Sequence, residues 1–139
     1  MNKKKVLVLC TGNSCRSQMA EAYLRLYSNS SIIYSAGLKP KGLHPLAKYV
    51  LEQDGICTKE HTSNSLEDYA DIKFDLSLTV CNNAKEQCVY FKNSRLKTHQ
   101  SFEDPDHFEG SENEVIEFFK KIRDEIKEFS KTYSIKHNL

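Results

Sequence analysis

No apolar stretch in this chain approaches the roughly 20 residues that a membrane-spanning helix needs. Val6 to Cys10 is too short for the apolar region of a secretory signal, which points to a cytoplasmic protein with no membrane partner. There is also no excess of charge of one sign. Twenty Lys and Arg stand against 19 Asp and Glu, a net charge of +1. That balance argues against a nucleic-acid partner. Lys3-Lys4-Lys5 is a short basic run that reads as a solvated terminus. Internal repeats, linkers and low-complexity segments are missing, so the 139 residues read as a single domain, 1–139, long enough for a real core. His61, His99 and His107 are scattered and read as surface or packing residues.

What the chain does have is five cysteines. In a cytoplasmic chain they suggest catalysis, metal binding or transient redox chemistry, not a structural disulfide framework. The run Cys10-Thr11-Gly12-Asn13-Ser14-Cys15-Arg16-Ser17 is the most informative. It follows an apolar run, Val6-Leu7-Val8-Leu9, that reads as a buried strand, and it precedes a helical stretch. Loop amides at such a strand–helix junction can point inward at a tetrahedral anion, and the helix N-terminus adds positive potential. Arg16 can grip two oxygens through its planar fork. The same field favours the thiolate of Cys10, its nucleophilic form. Gly12 and Asn13 suit a tight loop because both tolerate positive φ. Ser17 can donate a hydrogen bond to the Cys10 sulfur.

Along the chain, Lys5 to Cys10 is the first strand. A helix runs from Ser14 or Cys15 to about Tyr27, with Met19, Ala22, Tyr23 and Leu26 on one face. Ser31 to Ser35 is a second strand, closed by Ala36-Gly37. Pro45 can sit in the first turn of a helix that runs to about Gln53 and stops near Gly55. Ser65 to Tyr69 fits one short helical turn. Phe74 to Val80 is a third strand, Asn82 to Cys88 is helix-compatible, and Leu96 to His99 is a weak fourth strand. Phe102 to Gly110 is a loop holding Asp104-Pro105. Ser111 with Glu114 makes a capping box for a long last helix. Its apolar face is Val115, Phe118, Phe119, Ile122, Ile126 and Phe129. Lys136 to Leu139 reads as a frayed tail. This alternation predicts an α/β fold with a small parallel sheet, whose ligands bind beyond the carboxyl ends of the strands. Cys10 and Cys81 both fall at such ends.

Cys81 and Cys88 are seven residues apart. On a straight helix that separation is about 10 Å along the axis at ~1.5 Å per residue. A disulfide needs Cα atoms roughly 4.4–6.8 Å apart. A Cys81–Cys88 bond therefore requires the segment to loop out. Asp104, in its polar loop, can act as a general acid above an anion site. Cys15 is structural or redox-sensitive, and Cys57 reads as incidental.

Taken together, these features resemble the thioredoxin-coupled arsenate reductases that share the low-molecular-weight protein tyrosine phosphatase fold. The resemblance rests on Cys10 to Glu21, Tyr34-Ser-Ala-Gly37, His61-Thr-Ser63, Thr79-Val-Cys81 with Cys88, Phe102-Glu-Asp-Pro105 and Arg123-Asp-Glu-Ile126. It implies a four-stranded parallel sheet flanked by helices, in a monomer. It also implies an anion loop of Thr11, Gly12, Asn13, Ser14, Cys15, Arg16 and Ser17. Cys10 would be the nucleophile, Arg16 the oxyanion ligand, Cys81 and Cys88 the resolving thiols and Asp104 the general acid. The substrate would be arsenate or a phosphate-like oxyanion. The partner would be thioredoxin, which serves as reductant with no bound cofactor.

Some of these reductases hold potassium behind the loop. Asn13, Glu21 and Ser35 match that ligand set, but Asn64 stands where an aspartate is found. The phosphatase branch is the rival reading. It needs only Cys10, Arg16 and Asp104, and would hydrolyse a Cys10 phosphoenzyme. There a proline usually follows the Arg-Ser pair and tyrosines follow Asp-Pro, whereas this chain has Gln18 and Asp106-His107-Phe108. A non-enzymatic reading has Cys10, Cys15, Cys81 and Cys88 binding a structural zinc, beside which Arg16 would sit poorly.

Overall fold

The computed structural model describes residues 3–81 and 93–139. Cys88 and the helix expected over 82–88 lie outside the described residues. Four strands, β1 (Lys5–Cys10), β2 (Ile32–Gly37), β3 (Phe74–Thr79) and β4 (Ser94–His99), form one parallel sheet in the order β2-β1-β3-β4. Among the described residues three α-helices accompany it: α1 (Arg16–Tyr27), α2 (Pro45–Gln53) and α3 (Glu112–Lys136). The family-like sheet expected from the sequence is present.

Strand alternation divides the core in two. Val6, Val8 and Cys10 of β1 face one side with Leu76 and Leu78 of β3, where Met19, Tyr23, Val50, Phe119, Ile122 and Ile126 of the three helices cover them. Leu7 and Leu9 face the other side with Ala36 and Phe74. There Tyr34 meets Tyr69 and Phe74 edge-on, at 5.1 and 5.2 Å between ring centres. Tyr69 belongs to a short 3-10 turn, Leu66–Tyr69, begun by a Ser65–Asp68 capping box. Each fully buried Leu, Ile or Phe contributes about 1.5–3 kcal/mol relative to exposure, so the helix face is the larger source of stability.

The helices start and stop for local reasons. Pro45 opens α2, with His44 capping it from outside. Gly55 follows at φ 81°, a conformation glycine adopts without strain. Ser111 and Glu114 close the capping box that opens α3. Two expectations are corrected. Leu26 is not part of the buried face of α1; it is 54% exposed, while Leu24 is buried. The tail is not frayed. Leu139 is buried, and its carbonyl accepts from the backbone N–H groups of Asn29 and Ser30 and from the Ser28 and Ser31 hydroxyls. These contacts lie more than 100 residues away in sequence, so no local pattern announces them.

The strand order places the site. After β1 the chain turns to β2 on one side, whereas β3 and β4 lie on the other. The crevice between the carboxyl ends of β1 and β3 is therefore where connections diverge and a ligand can enter. Leu9 pairs with Thr79 in the register, and Val80 N–H donates to the Leu9 carbonyl. Cys10 ends β1 at this crevice, and Cys81 follows β3 one strand over.

Candidate active site

The loop from Thr11 to Cys15 is shaped by what holds its carbonyls. The Thr11 oxygen accepts from Lys39 N–H at 3.0 Å, Gly12 from Lys41 N–H at 3.0 Å, Ser14 from His44 N–H at 3.1 Å and Cys15 from Met19 N–H at 2.9 Å. The Asn13 oxygen accepts from Gln18 Nε2 and from Ser63 Oγ, both at 2.9 Å. All five carbonyls are thus bound by groups around the loop. In a trans peptide the next N–H points opposite to the carbonyl. The amides of Gly12, Asn13, Ser14, Cys15 and Arg16 therefore turn toward the space the loop encloses, a concave nest of donors at the start of α1.

Asn13 takes the positive φ, 44°, that the tight turn requires. Gly12 does not; the stem of Lys41 lies against it instead, 3.4 Å from where a Cβ would stand. The glycine that the loop depends on is Gly37, at the end of β2. A Cβ there would fall 2.7 Å from the Thr11 oxygen, 2.8 Å from Asn13 N and 2.9 Å from the Cys10 oxygen.

The cavity beside the loop is open to solvent on one side, measures about 330 Å³ and is lined by Cys10, Thr11, Gly12, Ser14, Cys15, Arg16, Lys41, Asp104, Asp106 and His107. Cys10 Sγ is 2.9 Å from Ser17 Oγ, the contact expected from the sequence, and Ser17 donates to Asn13 Oδ1 at 2.7 Å. Asn13 and Ser17 are both buried behind the loop. Burial pushes the Cys15 thiol far up, and the charges of Asp104 and Asp106 add to the shift. Cys15 is therefore a neutral thiol at physiological pH, although it sits in the same loop as Cys10. Arg16 is 5% exposed; it donates to the Phe102 carbonyl at 3.2 Å and reaches Asp104 Oδ2 at 3.5 Å. Asp104 Oδ1 accepts from Asp106 N–H at 3.0 Å, capping the 3-10 turn Pro105–His107.

The structure thus brings Cys10, Arg16 and Asp104 together across 94 residues of sequence and puts Cys81, fully buried, at the neighbouring strand end. Sequence reasoning missed the rim. Lys41 and Asp106 had no role there, and His107, read as a surface residue, is exposed but lies 3.3 Å from Asp104 Oδ2. His61, read as a surface or packing residue, is held neutral by burial and donates from Nδ1 to Gln18 Oε1 at 3.0 Å. Gln18 in turn holds the loop carbonyl of Asn13. The signal available was the polar run from His61 to Asn64, too irregular to place.

Of the potassium set, Ser35 donates to Glu21 Oε1 at 2.5 Å, and Glu21 Oε2 pairs with Arg25 at 3.1 Å. Asn64 turns its amide to Thr62 Oγ1 at 2.8 Å. The Glu21 charge already has a guanidinium beside it, and Asn64 brings none, so these residues do not fit a resident monovalent cation. Among the described residues no group of three or more His, Cys, Asp and Glu side chains could hold a metal ion.

The family model for low molecular weight phosphotyrosine protein phosphatase matches residues 5–138. This chain belongs to that family. Curated relatives within it are arsenate reductases. That of Halalkalibacterium halodurans is 38% identical over 135 residues, covering 96% of this chain and 97% of the relative. That of Bacillus subtilis is 37% identical over 137 residues, covering 95% and 99%. A solved arsenate reductase in its phosphate-binding state superposes with a TM-score of 0.79 at 30% identity, over 96% of this chain and 98% of its own. Among the described residues no helix is long and apolar enough to cross a membrane.

Proposed function

We propose that this chain reduces arsenate to arsenite, taking its electrons from thioredoxin through Cys10, Cys81 and Cys88. The observation that carries this reading is the amide nest beside the Cys10 sulfur, with Arg16 and Asp104 converging on the same cavity. A tetrahedral oxyanion bound there meets several N–H donors and a guanidinium fork, arranged before it arrives. The curated relatives named above support arsenate as the substrate. Arg25, not potassium, supplies the counter-charge to Glu21 in this reading.

The Cys10 thiolate attacks arsenic, an As–S bond forms, and Asp104 gives its proton to the departing oxygen, which leaves as water. A Cys81 thiolate then attacks Cys10 Sγ. The S–S bond forms as the As–S bond breaks, and that electron pair stays on arsenic, reducing it from As(V) to As(III). Cys88 next attacks Cys81, restoring the Cys10 thiolate and leaving a Cys81–Cys88 disulfide. The dithiol of thioredoxin reduces that bond. Ser17 can turn its hydroxyl hydrogen to the Cys10 sulfur in the thiolate state.

Arsenate, thioredoxin, its reductase and NADPH test the reading in one assay. NADPH oxidation should require both arsenate and this chain. Cys88→Ser should stop after a single oxidation, and sustained turnover at the normal rate by that variant would overturn the relay. The family's phosphatase chemistry is the second reading, favoured by the same nest and by Cys10, Arg16 and Asp104. Cys81→Ser should leave any aryl phosphate hydrolysis intact while abolishing arsenate reduction. The described lining of the cavity contains no Phe, Tyr or Trp side chain on which a phenyl ester could stack.

A further inference from the structure

His44 joins four parts of the molecule. Its backbone N–H donates to the Ser14 carbonyl of the anion loop at 3.1 Å. Its ring lies 5.0 Å from that of Phe119 on α3. Nδ1 accepts from Leu46 N–H at 3.0 Å, capping α2. Nε2 sits 2.7 Å from Asp106 Oδ1. The Leu46 amide can only donate, so Nδ1 must accept, and the neutral ring then carries its hydrogen on Nε2. That hydrogen points at the Asp106 carboxylate. Asp106 in turn donates its backbone N–H to Asp104 Oδ1 at 3.0 Å. An unbroken chain of three hydrogen bonds therefore runs from the anion loop, through His44 and Asp106, to the carboxylate of Asp104.

We infer that His44 and Asp106 form a latch that holds Asp104 at a set distance from the anion nest, which makes both of them positioning residues for the reaction. The inference rests on the reading of Asp104 as general acid. The other ties on Asp104 are weaker or compete with the substrate. His107 lies at 3.3 Å but is 81% exposed, and Arg16 lies at 3.5 Å. Arg16 is also the residue that must grip the anion, and a fork turned to the substrate holds Asp104 less. The latch holds Asp104 through the Asp106 backbone N–H and does not use Arg16, so it keeps the acid in place while Arg16 binds. A general acid helps the leaving group in the transition state and adds little to ground-state binding. Losing the latch should therefore lower the rate at saturating arsenate.

The test measures the rate of one arsenate turnover at saturating arsenate, with and without the latch. Asp106→Ala removes one side. His44→Asn removes the other while its carboxamide still caps α2, so folding is preserved. Each should slow the single turnover about three- to fivefold, the loss of held population that an exposed pair of this kind can cause. Neither should slow it further in an Asp104→Asn background. A wild-type rate for both variants, or the same loss with Asp104→Asn present, overturns the inference.

Nitrogen NMR of the His44 ring reads the pair without turnover. The Nε2–H tautomer should be present in the native chain, and its Nε2 signal should move in Asp106→Ala. An Nε2 signal unmoved by Asp106→Ala overturns the latch. A moved signal together with full turnover in Asp104→Asn would support the pairing and remove the acid role of Asp104, and with it the positioning role.

Discussion

Replacing Gly37 by alanine should damage the anion loop more than any other single methyl added to a described glycine. Its φ is not in the left-handed region, so alanine meets no backbone penalty there. The penalty is steric. The new methyl would lie 2.7–2.9 Å from the Thr11 oxygen, Asn13 N and the Cys10 oxygen, all of them backbone atoms that cannot swing aside. Overpacking of this kind costs about 1–3 kcal/mol. At about 2 kcal/mol the midpoint of thermal unfolding should fall by roughly 8 °C for a domain of this size.

The strain is released by moving the loop, so anion binding should suffer as well. Inorganic phosphate or arsenate at 100 times its Kd stabilises the native protein by about 2.7 kcal/mol, and tenfold weaker binding cuts this to about 1.4 kcal/mol. Differential scanning fluorimetry with and without the anion measures both effects. Gly42→Ala and Gly55→Ala are the controls. They carry φ of 85° and 81° with nothing within 4 Å, so each should lose about 1 kcal/mol while keeping the full anion shift. A Gly37→Ala protein with native melting and a native anion shift would refute the claim that close approach of β2 shapes the loop.

Asp54 accepts from Tyr23 and Lys127 at 2.7 and 2.8 Å. Burial raises its pKa, but these two bonds outweigh it and hold the carboxyl below its usual range. Its contribution to stability is therefore present above the unfolded carboxylate pKa, about 3.9, and is lost as pH falls through the lower folded value. Asp54→Asn should cost about 1 kcal/mol at pH 7, a gap that closes below about pH 4 in urea unfolding. Iodoacetamide at pH 7 should modify Cys10 and the exposed Cys57 but not Cys15, whose thiol stays protonated; peptide mass spectrometry showing rapid alkylation of Cys15 would contradict this. Leu139→Ala should destabilise the fold by about 2 kcal/mol, read from its urea midpoint, because that residue is packed in the core.

Much of the site was legible from neighbours in sequence. A strand that ends in Cys10, a short loop and an arginine opening α1 lie within a dozen residues, and their geometry follows from local propensity and hydrogen bonding. The capping box at Ser111 is a four-residue pattern and reads directly, whereas at Ser65 only the short turn that its box opens was legible. The continuous apolar run of β1, which reads as a buried strand, and the apolar face of α3 also read directly, since pattern and burial go together. The positions of Asp104 and Cys81 were legible only as loop and strand ends.

Other features have no local signature. The donors that turn the loop amides inward come from Lys39, Lys41, His44 and Ser63, and Gly37 matters because another strand's backbone passes it. Asp106 gains its role from His44, 62 residues away, and Leu139 is tied down by residues 28 to 31. A chain carries in its local pattern which segments are strands, helices and turns. Which backbone group meets which distant donor depends on the packing of those segments, because hydrogen bonds act over about 3 Å and only the folded sheet brings such groups within that reach.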